Sequence, residues 1–326
     1  MNSQIKYLYS KVRIFILILP FTCFFHISFS QNRNYKWIES DTNLALISNT
    51  STLWQLNFDK KKDKPYFHPL RTKKGYDLTL ERPIDHPWHR GLWFSWKYIN
   101  GTNYWEEDPK TGLAKGRSEI KNIKIKKKPN FSAAIKLDLI YFDEKGDNLS
   151  EKREINISSP ELQINGYYII MNHKFTALKD VVLDLEKPAI NGGVSWGGYA
   201  GLGFRGSNSL QEITFLTSSG WSTKNDTTGY GTNERWMDLS AKANLNTNDE
   251  VGISILDHNK NAKSPSPWYI WYTAGQNIFF MPSPLFNGPI SLKKGETLLL
   301  KYKVWIHDGK GINSEIEKQY NQFNNK

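Results

Sequence analysis

The sequence predicts an all-β protein, a large antiparallel β-sandwich followed by one short C-terminal helix. Over most of the chain, apolar side chains recur at every second position, which is the period of strands with one buried face. The odd-numbered positions from Ala133 to Tyr141 are all apolar, and residues 144–147 then supply a turn. After Asn313 or Ser314, either of which is suited to cap a helix, the apolar period becomes helical.

Further patterns complete the fold prediction. The remaining strand-like runs are residues 154–157, 162–177, 181–185, 251–256 and 297–306. The glycine-rich segment 192–205 is predicted as a strand region in which glycines mark bulges or close backbone approach, leaving room for a ligand. In the tail, Ile316, Tyr320 and Phe323 have the spacing of one helix face.

The first thirty residues have the three-part layout of a secretory signal. Lys6, Lys11 and Arg13 precede an apolar run over residues 14–25, and small residues surround the expected cleavage after Ser30. We therefore expect residues 1–30 to be removed and the protein to be periplasmic or secreted. No later stretch is long enough to suggest a membrane span.

Residues 31–326 are predicted to form a single β-sandwich domain, because they contain no repeat, linker or change of composition. The one cysteine, Cys23, lies in the predicted signal. Cysteine nucleophiles, disulfides and thiolate metal sites are therefore excluded from the predicted mature chain.

Charge and aromatic content indicate the kind of partner. Removing Lys6, Lys11 and Arg13 with the signal lowers the formal net charge from +11 to +8, which favours an anionic partner such as an acidic oligosaccharide. The lysine runs at 60–62 and 124–128 lack the interleaved aromatic residues of a nucleic-acid groove. The chain has 12 Trp, 16 Tyr and 17 Phe, and such aromatic faces outside the cytoplasm suggest a cleft for sugars.

The candidate site residues are concentrated in a few segments. His68, His86, His89 and Arg90 fall within one short stretch, in which a turn at Pro87 could direct both later histidines into one pocket. Asp85 or a backbone carbonyl could then orient one of the rings through its second nitrogen. We predict His86, His89 and His258 as catalytic residues. The predicted substrate-binding residues are His68, Arg90, Trp105, Glu106, Arg205 and Trp236.

These motifs resemble the DUF6807 family, a family of unknown function once labelled "methane oxygenase PmoA". The matching pieces are Tyr66–Leu70 and residues 85–93, 100–105, 257–259, 265–268, 292–296 and 304–309. The resemblance spans roughly residues 60–310 and implies a β-sandwich of the galactose-mutarotase or polysaccharide-lyase kind. The methane oxygenase label does not carry over, because that membrane enzyme would need several hydrophobic spans. Trp88 and the pair Trp268-Tyr269 stand where the family usually has a histidine and an aromatic-histidine pair, which argues against a metal site at those positions.

The first functional hypothesis is β-elimination on a uronate-containing oligosaccharide by a lyase or dehydratase. His86 or His89 would remove the proton next to the carboxylate, and Arg90 or Arg205 would neutralise the negative charge that builds there. His258 would protonate the departing oxygen.

Other functions are compatible with the same residues. One is a mutarotase- or epimerase-like enzyme on a neutral sugar, with a histidine and Glu106 as acid and base. Another is non-catalytic glycan binding, and a weaker one is a glycosidase with two carboxylates from Glu106, Glu107 and Asp238. No cofactor is predicted, but a divalent metal held by His68, His86 and His89 remains an open alternative.

Overall fold

The computed structural model describes residues 34–160, 164–222, 230–244, 246–273 and 277–325. The predicted signal, residues 1–30, and the predicted strand start at 162 lie outside these ranges. The described part contains twenty-one strands and one α-helix, α1 (Asn313–Asn324). The strands are β1 (Tyr35–Glu39), β2 (Asn43–Ser48), β3 (Ser51–Asn57), β4 (Tyr66–Leu70), β5 (Leu92–Ser95), β6 (Tyr98–Ile99), β7 (Thr102–Asn103), β8 (Arg117–Lys127), β9 (Ala133–Asp143), β10 (Gly146–Ile157), β11 (Gly166–Ala177), β12 (Val181–Asp184), β13 (Gly201–Arg205), β14 (Gln211–Thr217), β15 (Gly220–Ser222), β16 (Trp236–Asn244), β17 (Asp249–Asp257), β18 (Trp268–Thr273), β19 (Asn277–Pro282), β20 (Ile290–Leu292) and β21 (Thr297–Asp308).

Two large antiparallel sheets and one small sheet organise these strands. The eight-stranded sheet has the order β1-β2-β3-β4-β5-β13-β19-β18, and the nine-stranded sheet has the order β15-β14-β16-β17-β21-β11-β10-β9-β8. A four-stranded sheet, β20-β12-β6-β7, completes the arrangement. No helix in the described ranges is long and apolar enough to cross a membrane.

The core lies between the inner faces of the two large sheets. Trp54 and Phe94 of the eight-stranded sheet belong to the same buried cluster as Leu137, Ile169 and Val304 of the nine-stranded sheet. Along β9 the odd positions are buried and their neighbours are more exposed, as the alternating sequence requires. The predicted β-sandwich with one C-terminal helix is confirmed.

The C-terminal helix packs on the outer face of the nine-stranded sheet. Ile316, Tyr320 and Phe323 are buried in a separate cluster with Trp236 and Trp305. The helix begins at Asn313 after Ile312, which makes no side-chain capping bond. The prediction of Asn313 or Ser314 as N-cap was therefore wrong, because burial of the apolar face, and not a polar cap, holds this helix.

The glycine-rich segment is only partly a strand. Residues 201–205 form β13, but the preceding glycines lie in a loop that follows a 3-10 turn at Ala189–Asn191. A Cβ atom at Gly193 or Gly197 would lie within 2.2 Å of the Lys187 carbonyl oxygen. The glycines at these two positions therefore allow close backbone approach, although the strand predicted there is absent.

Candidate functional site

A pocket of about 310 Å³ lies over the outer face of the eight-stranded sheet. On β5, β18 and β19 the side chains alternate between the core and this outer face, which carries Trp93, Tyr269 and Phe279. At Gly203 a Cβ atom would approach Phe279 to 3.1 Å, so the glycine lets these rings lie close to β13. The residues that line the pocket, called the site pocket below, are His86, Trp88, His89, Trp105, Glu106, Trp196, Tyr199, Arg205, Tyr269, Trp271 and Phe279.

A tight turn between β4 and β5 brings two predicted catalytic histidines together. The His86 amide donates to the Pro83 carbonyl at 3.1 Å, and the His89 amide donates to the His86 carbonyl at 2.9 Å. Gly91 has φ = 73°, and a Cβ atom there would lie 2.5 Å from the Phe67 carbonyl oxygen. The turn therefore requires this glycine. As a result, the rings of His86 and His89 stack with centroids 4.7 Å apart.

A carboxylate and a guanidinium orient His86. Its Nδ1 lies 2.6 Å from Asp85 Oδ2, and Nη2 of the buried Arg205 donates to both oxygens of that carboxylate at 3.0 Å. Burial alone would raise the pKa of Asp85, but the His86 hydrogen bond and the Arg205 charge lower it below its ordinary value. An ionised Asp85 accepts a hydrogen bond from Nδ1–H, which leaves the Nε2 lone pair of neutral His86 available as a base.

His89 is a buried, neutral ring at the centre of the site. It is only 5% exposed and stacks between His86 and Phe279, whose centroid lies 4.8 Å away. Burial lowers its pKa well below the ordinary histidine value, and the nearby Arg205 charge lowers it further. Its Nδ1 is buried and makes no hydrogen bond among the residues described.

Glu106 is an ionised carboxylate held in place by its neighbours. Lys97 Nζ bonds both oxygens at 2.6 and 2.5 Å, Tyr199 donates to Oε1 at 2.5 Å, and Asn103 donates to Oε2 at 2.6 Å. Burial raises the pKa of Glu106, but the Lys97 charge and these hydrogen bonds together lower it. Such a carboxylate is a poor proton donor.

Aromatic rings form most of the pocket wall. Trp105 packs against Tyr199 with centroids 5.1 Å apart, and the Tyr269 hydroxyl donates to the Trp196 carbonyl at 3.2 Å. Trp196 and Trp271 remain partly exposed, at 44% and 37%. Flat, partly exposed rings around a pocket are suited to stack on the C–H faces of a sugar.

A buried ionic network supports the loop that carries Trp105 and Glu106. Glu107 accepts from Arg90 Nη2 at 2.6 Å and from Arg82 at 2.9 Å, and Lys64 lies 3.5 Å from it. Lys64 also donates to the Trp105 carbonyl at 2.9 Å. Arg90, predicted to bind substrate, therefore contacts Glu107 and does not line the site pocket.

The structure does not bring the other predicted residues to this pocket. His68 contacts Thr79, with Nδ1 and Oγ1 2.9 Å apart. His258 lies beneath the C-terminal helix, its ring edge-on to Phe323 at 5.1 Å, and Trp236 donates to Glu317 of that helix at 3.0 Å. Thus five predicted residues converge, and these are His86, His89, Trp105, Glu106 and Arg205. Their roles remain predictions.

Several lining residues escaped the sequence analysis. Trp271 and Phe279 are paired across the β18–β19 hairpin, whereas Tyr199 comes from a distant segment, and none of the three has distinctive neighbours in the sequence. Asp85, which was expected from the sequence to orient one of the histidine rings, contacts His86 but does not line the pocket. Trp88 and Tyr269, the two departures from the family pattern, both line the pocket.

The open alternative of a metal site finds no matching geometry in the part of the chain that the structure covers. No three His, Cys, Asp or Glu side chains there are grouped closely enough to hold a metal ion. His68, with its contact to Thr79, does not join His86 and His89.

The fold and pocket define a β-sandwich protein with an aromatic surface pocket. The chain belongs to DUF6807, a family of unknown function whose model matches residues 44–321, and the predicted resemblance is thereby confirmed. The comparison with curated proteins gave no match.

Two solved structures show a distant fold similarity. Heparan sulfate lyase HepC from Pedobacter heparinus is 10% identical with a TM-score of 0.35, and the alignment covers 86% of this chain and 36% of that chain. A beta-arabinopyranosidase is 8% identical with a TM-score of 0.33, covering 84% of this chain and 38% of that chain. The chain thus spans a little over a third of the length of these carbohydrate-active enzymes.

Proposed function

We propose that this protein is a carbohydrate-active enzyme that performs β-elimination on a sugar ring, as a lyase or dehydratase. The observation that carries the proposal is the 2.6 Å contact between His86 Nδ1 and Asp85 Oδ2 in the site pocket. A histidine held in this way has its second nitrogen available to remove a proton from carbon. Elimination begins with that proton transfer.

The pocket supports a sugar as the substrate. Its volume of about 310 Å³ is at the lower end for small-molecule sites, which suits one sugar ring. The Trp196 and Trp271 rings are available for stacking, and the ionised Glu106 supplies polar lining beside them. Aromatic stacking with a few polar contacts is a common way to bind sugars.

His86 would serve as both base and acid. His258, the proton donor expected from the sequence, lies beneath the C-terminal helix, and the lowered pKa of Glu106 makes that carboxyl a poor donor. After taking the proton at Nε2, His86 can return it to the departing oxygen on the same face of the ring. An acidic substrate stays a prediction, because Arg205, the proposed partner of its carboxylate, contacts Asp85.

The test is turnover of a sugar panel by the purified protein. We would incubate it with neutral, uronate-containing and ketone-containing glycosides and follow the ultraviolet absorbance of a new conjugated double bond together with product mass. We expect absorbance to rise with at least one substrate, to disappear in His86→Ala and to persist in the matched variant His258→Ala. A product of unchanged mass would indicate an epimerase, and binding without any reaction would indicate a glycan-binding protein; either would refute the proposal.

A further inference from the structure

The cations near the site pocket are already paired with carboxylates of the protein, which limits the groups that could activate a sugar for elimination. Arg205 is the only Lys or Arg among the described residues that line the pocket. Its Nη2 donates to both oxygens of Asp85, so its charge is matched within the protein. Lys97, 5.0 Å from the Tyr199 ring, is matched in the same way by Glu106. A uronate carboxylate would have to compete with these internal carboxylates for its cation.

The hydrogen-bond donors of the pocket point to a different activating group. The Tyr199 hydroxyl is engaged by Glu106, and the Tyr269 hydroxyl is engaged by the Trp196 carbonyl. His89 also lines the pocket, is 95% buried, and has an Nδ1 atom without a hydrogen-bond partner among the residues described. A neutral imidazole carries one N–H and can polarise a carbonyl oxygen without supplying a full charge.

The stacking of the two histidines fits such a substrate. Their centroids are 4.7 Å apart with an interplanar angle of 23°. In a ketone, the oxygen and the neighbouring carbon that loses its proton are only two bonds apart. Two nearly parallel imidazoles can therefore reach both atoms of one sugar, His86 at the carbon-bound proton and His89 at the oxygen.

We infer that the substrate is an uncharged glycoside in which one ring hydroxyl has been oxidised to a ketone, with His89 donating a hydrogen bond to the ketone oxygen. This inference rests on the proposed function, and it replaces the uronate with a neutral carbonyl as the activating group. His86 and His89 are the catalytic residues, whereas Asp85 and Arg205 are positioning residues.

The reaction balances without any further reagent. His86 Nε2 takes the proton next to the ketone, and the C–H electron pair forms an enolate whose oxygen accepts from His89. The enolate then collapses to restore the carbonyl, a carbon–carbon double bond forms, and the C–O bond on the next carbon breaks. The departing oxygen takes the proton from His86, so that the products are an enone and an alcohol.

The experiment compares three substrates, of which the first two are glucosides with the same leaving group. The first is oxidised to a ketone at C3, so that the proton on C2 is activated and the oxygen on C1 departs. The second is the unoxidised glucoside. The third is a uronate-containing disaccharide with a leaving oxygen next to its acidic carbon. Each is incubated with the protein and with His86→Ala, and alcohol release, enone absorbance and deuterium uptake from D2O are measured.

We expect elimination from the ketone at a rate at least about 100-fold above that of either other substrate. His89→Phe, which retains stacking but lacks the N–H, is expected to slow this elimination by about 10²–10³-fold, as the loss of one oxyanion donor does elsewhere. Its affinity for the unoxidised glucoside should change little. His89→Gln, which offers an amide N–H, should recover part of the rate.

Three results would overturn the inference, and they separate it from the proposed function. Elimination from the uronate, dependent on His86 and as fast as that from the ketone, would refute the ketone but leave β-elimination intact. Full activity of a folded His89→Phe variant would refute the role of His89 as hydrogen-bond donor but would leave the ketone substrate and β-elimination intact. Absence of elimination and of deuterium uptake with all three substrates would refute the proposed function together with the inference.

Discussion

His86 Nδ1 lies 2.6 Å from Asp85 Oδ2, although the two residues are adjacent in the chain. Both side chains are more than one-third exposed. The contact between them is nevertheless held in place, because the buried Arg205 anchors the same carboxylate. Geometry of this kind fixes the direction of an imidazole and decides which nitrogen faces a substrate.

We predict that Asp85→Asn reduces turnover by roughly 10²–10⁴-fold, the range associated with loss of a positioned base. The amide cannot stabilise the Nδ1–H form of His86 as a carboxylate does. Nitrogen NMR of the imidazole would report the changed tautomer without any substrate. Asp77→Asn, at an exposed carboxylate paired with Arg71, is the matched control and should leave both readings unchanged. An unaltered His86 spectrum in Asp85→Asn would contradict the assignment.

We predict that Glu106→Gln lowers the free energy of unfolding by about 3–5 kcal/mol, because it leaves the Lys97 ammonium buried without its carboxylate. The Lys97 side chain is only 4% exposed. Denaturant unfolding of the variant measures the loss. Glu119→Gln removes an exposed partner of Lys121 and should cost under about 1 kcal/mol. Equal losses in the two variants would show that the Glu106–Lys97 pair contributes no more to the free energy of unfolding than an exposed ion pair does.

The stability of the protein should fall as the solution becomes more acidic than the ordinary glutamate pKa of 4.5. Burial opposes ionisation of Glu106, but Lys97 and the hydrogen bonds lower its pKa in the folded protein, so the unfolded chain takes up the proton first. Its contribution is present above pH 4.5 and is lost as pH falls through the lower folded value. Unfolding free energies measured at successive pH values should show a slope that is smaller in Glu106→Gln. An identical slope in both proteins would contradict this linkage.

We predict that Trp196→Ala weakens binding of a sugar by roughly fivefold, because it removes one stacking face worth about 1 kcal/mol. The ring is 44% exposed, so its removal should have little effect on folding. Calorimetric titration with a sugar that is bound but not converted gives the affinity. Trp196→Phe retains a ring and should recover most of the loss. If Ala and Phe bind equally well, Trp196 does not stack on the ligand.

The sequence was most informative where the signal was local. Alternation along residues 133–141 and the spacing of Ile316, Tyr320 and Phe323 predicted a strand and a helix correctly, because each depends on which face of one element is apolar. The dense motif around His86 and His89 likewise predicted a convergence that one turn could produce.

Tertiary structure decided which of the candidate residues share a pocket. The sequence does not distinguish His258 from His89, or Trp236 from Trp105, as a site residue. The fold places His258 and Trp236 under the C-terminal helix. It places His89 and Trp105 over the eight-stranded sheet. Phe279 lies beside Arg205 only through the pairing of β19 with β13, two strands that lie far apart in the chain. The sequence by itself thus determined the local elements and the residue types. The pairing of distant strands determined which residues became neighbours, because that pairing leaves no periodic signal in the chain.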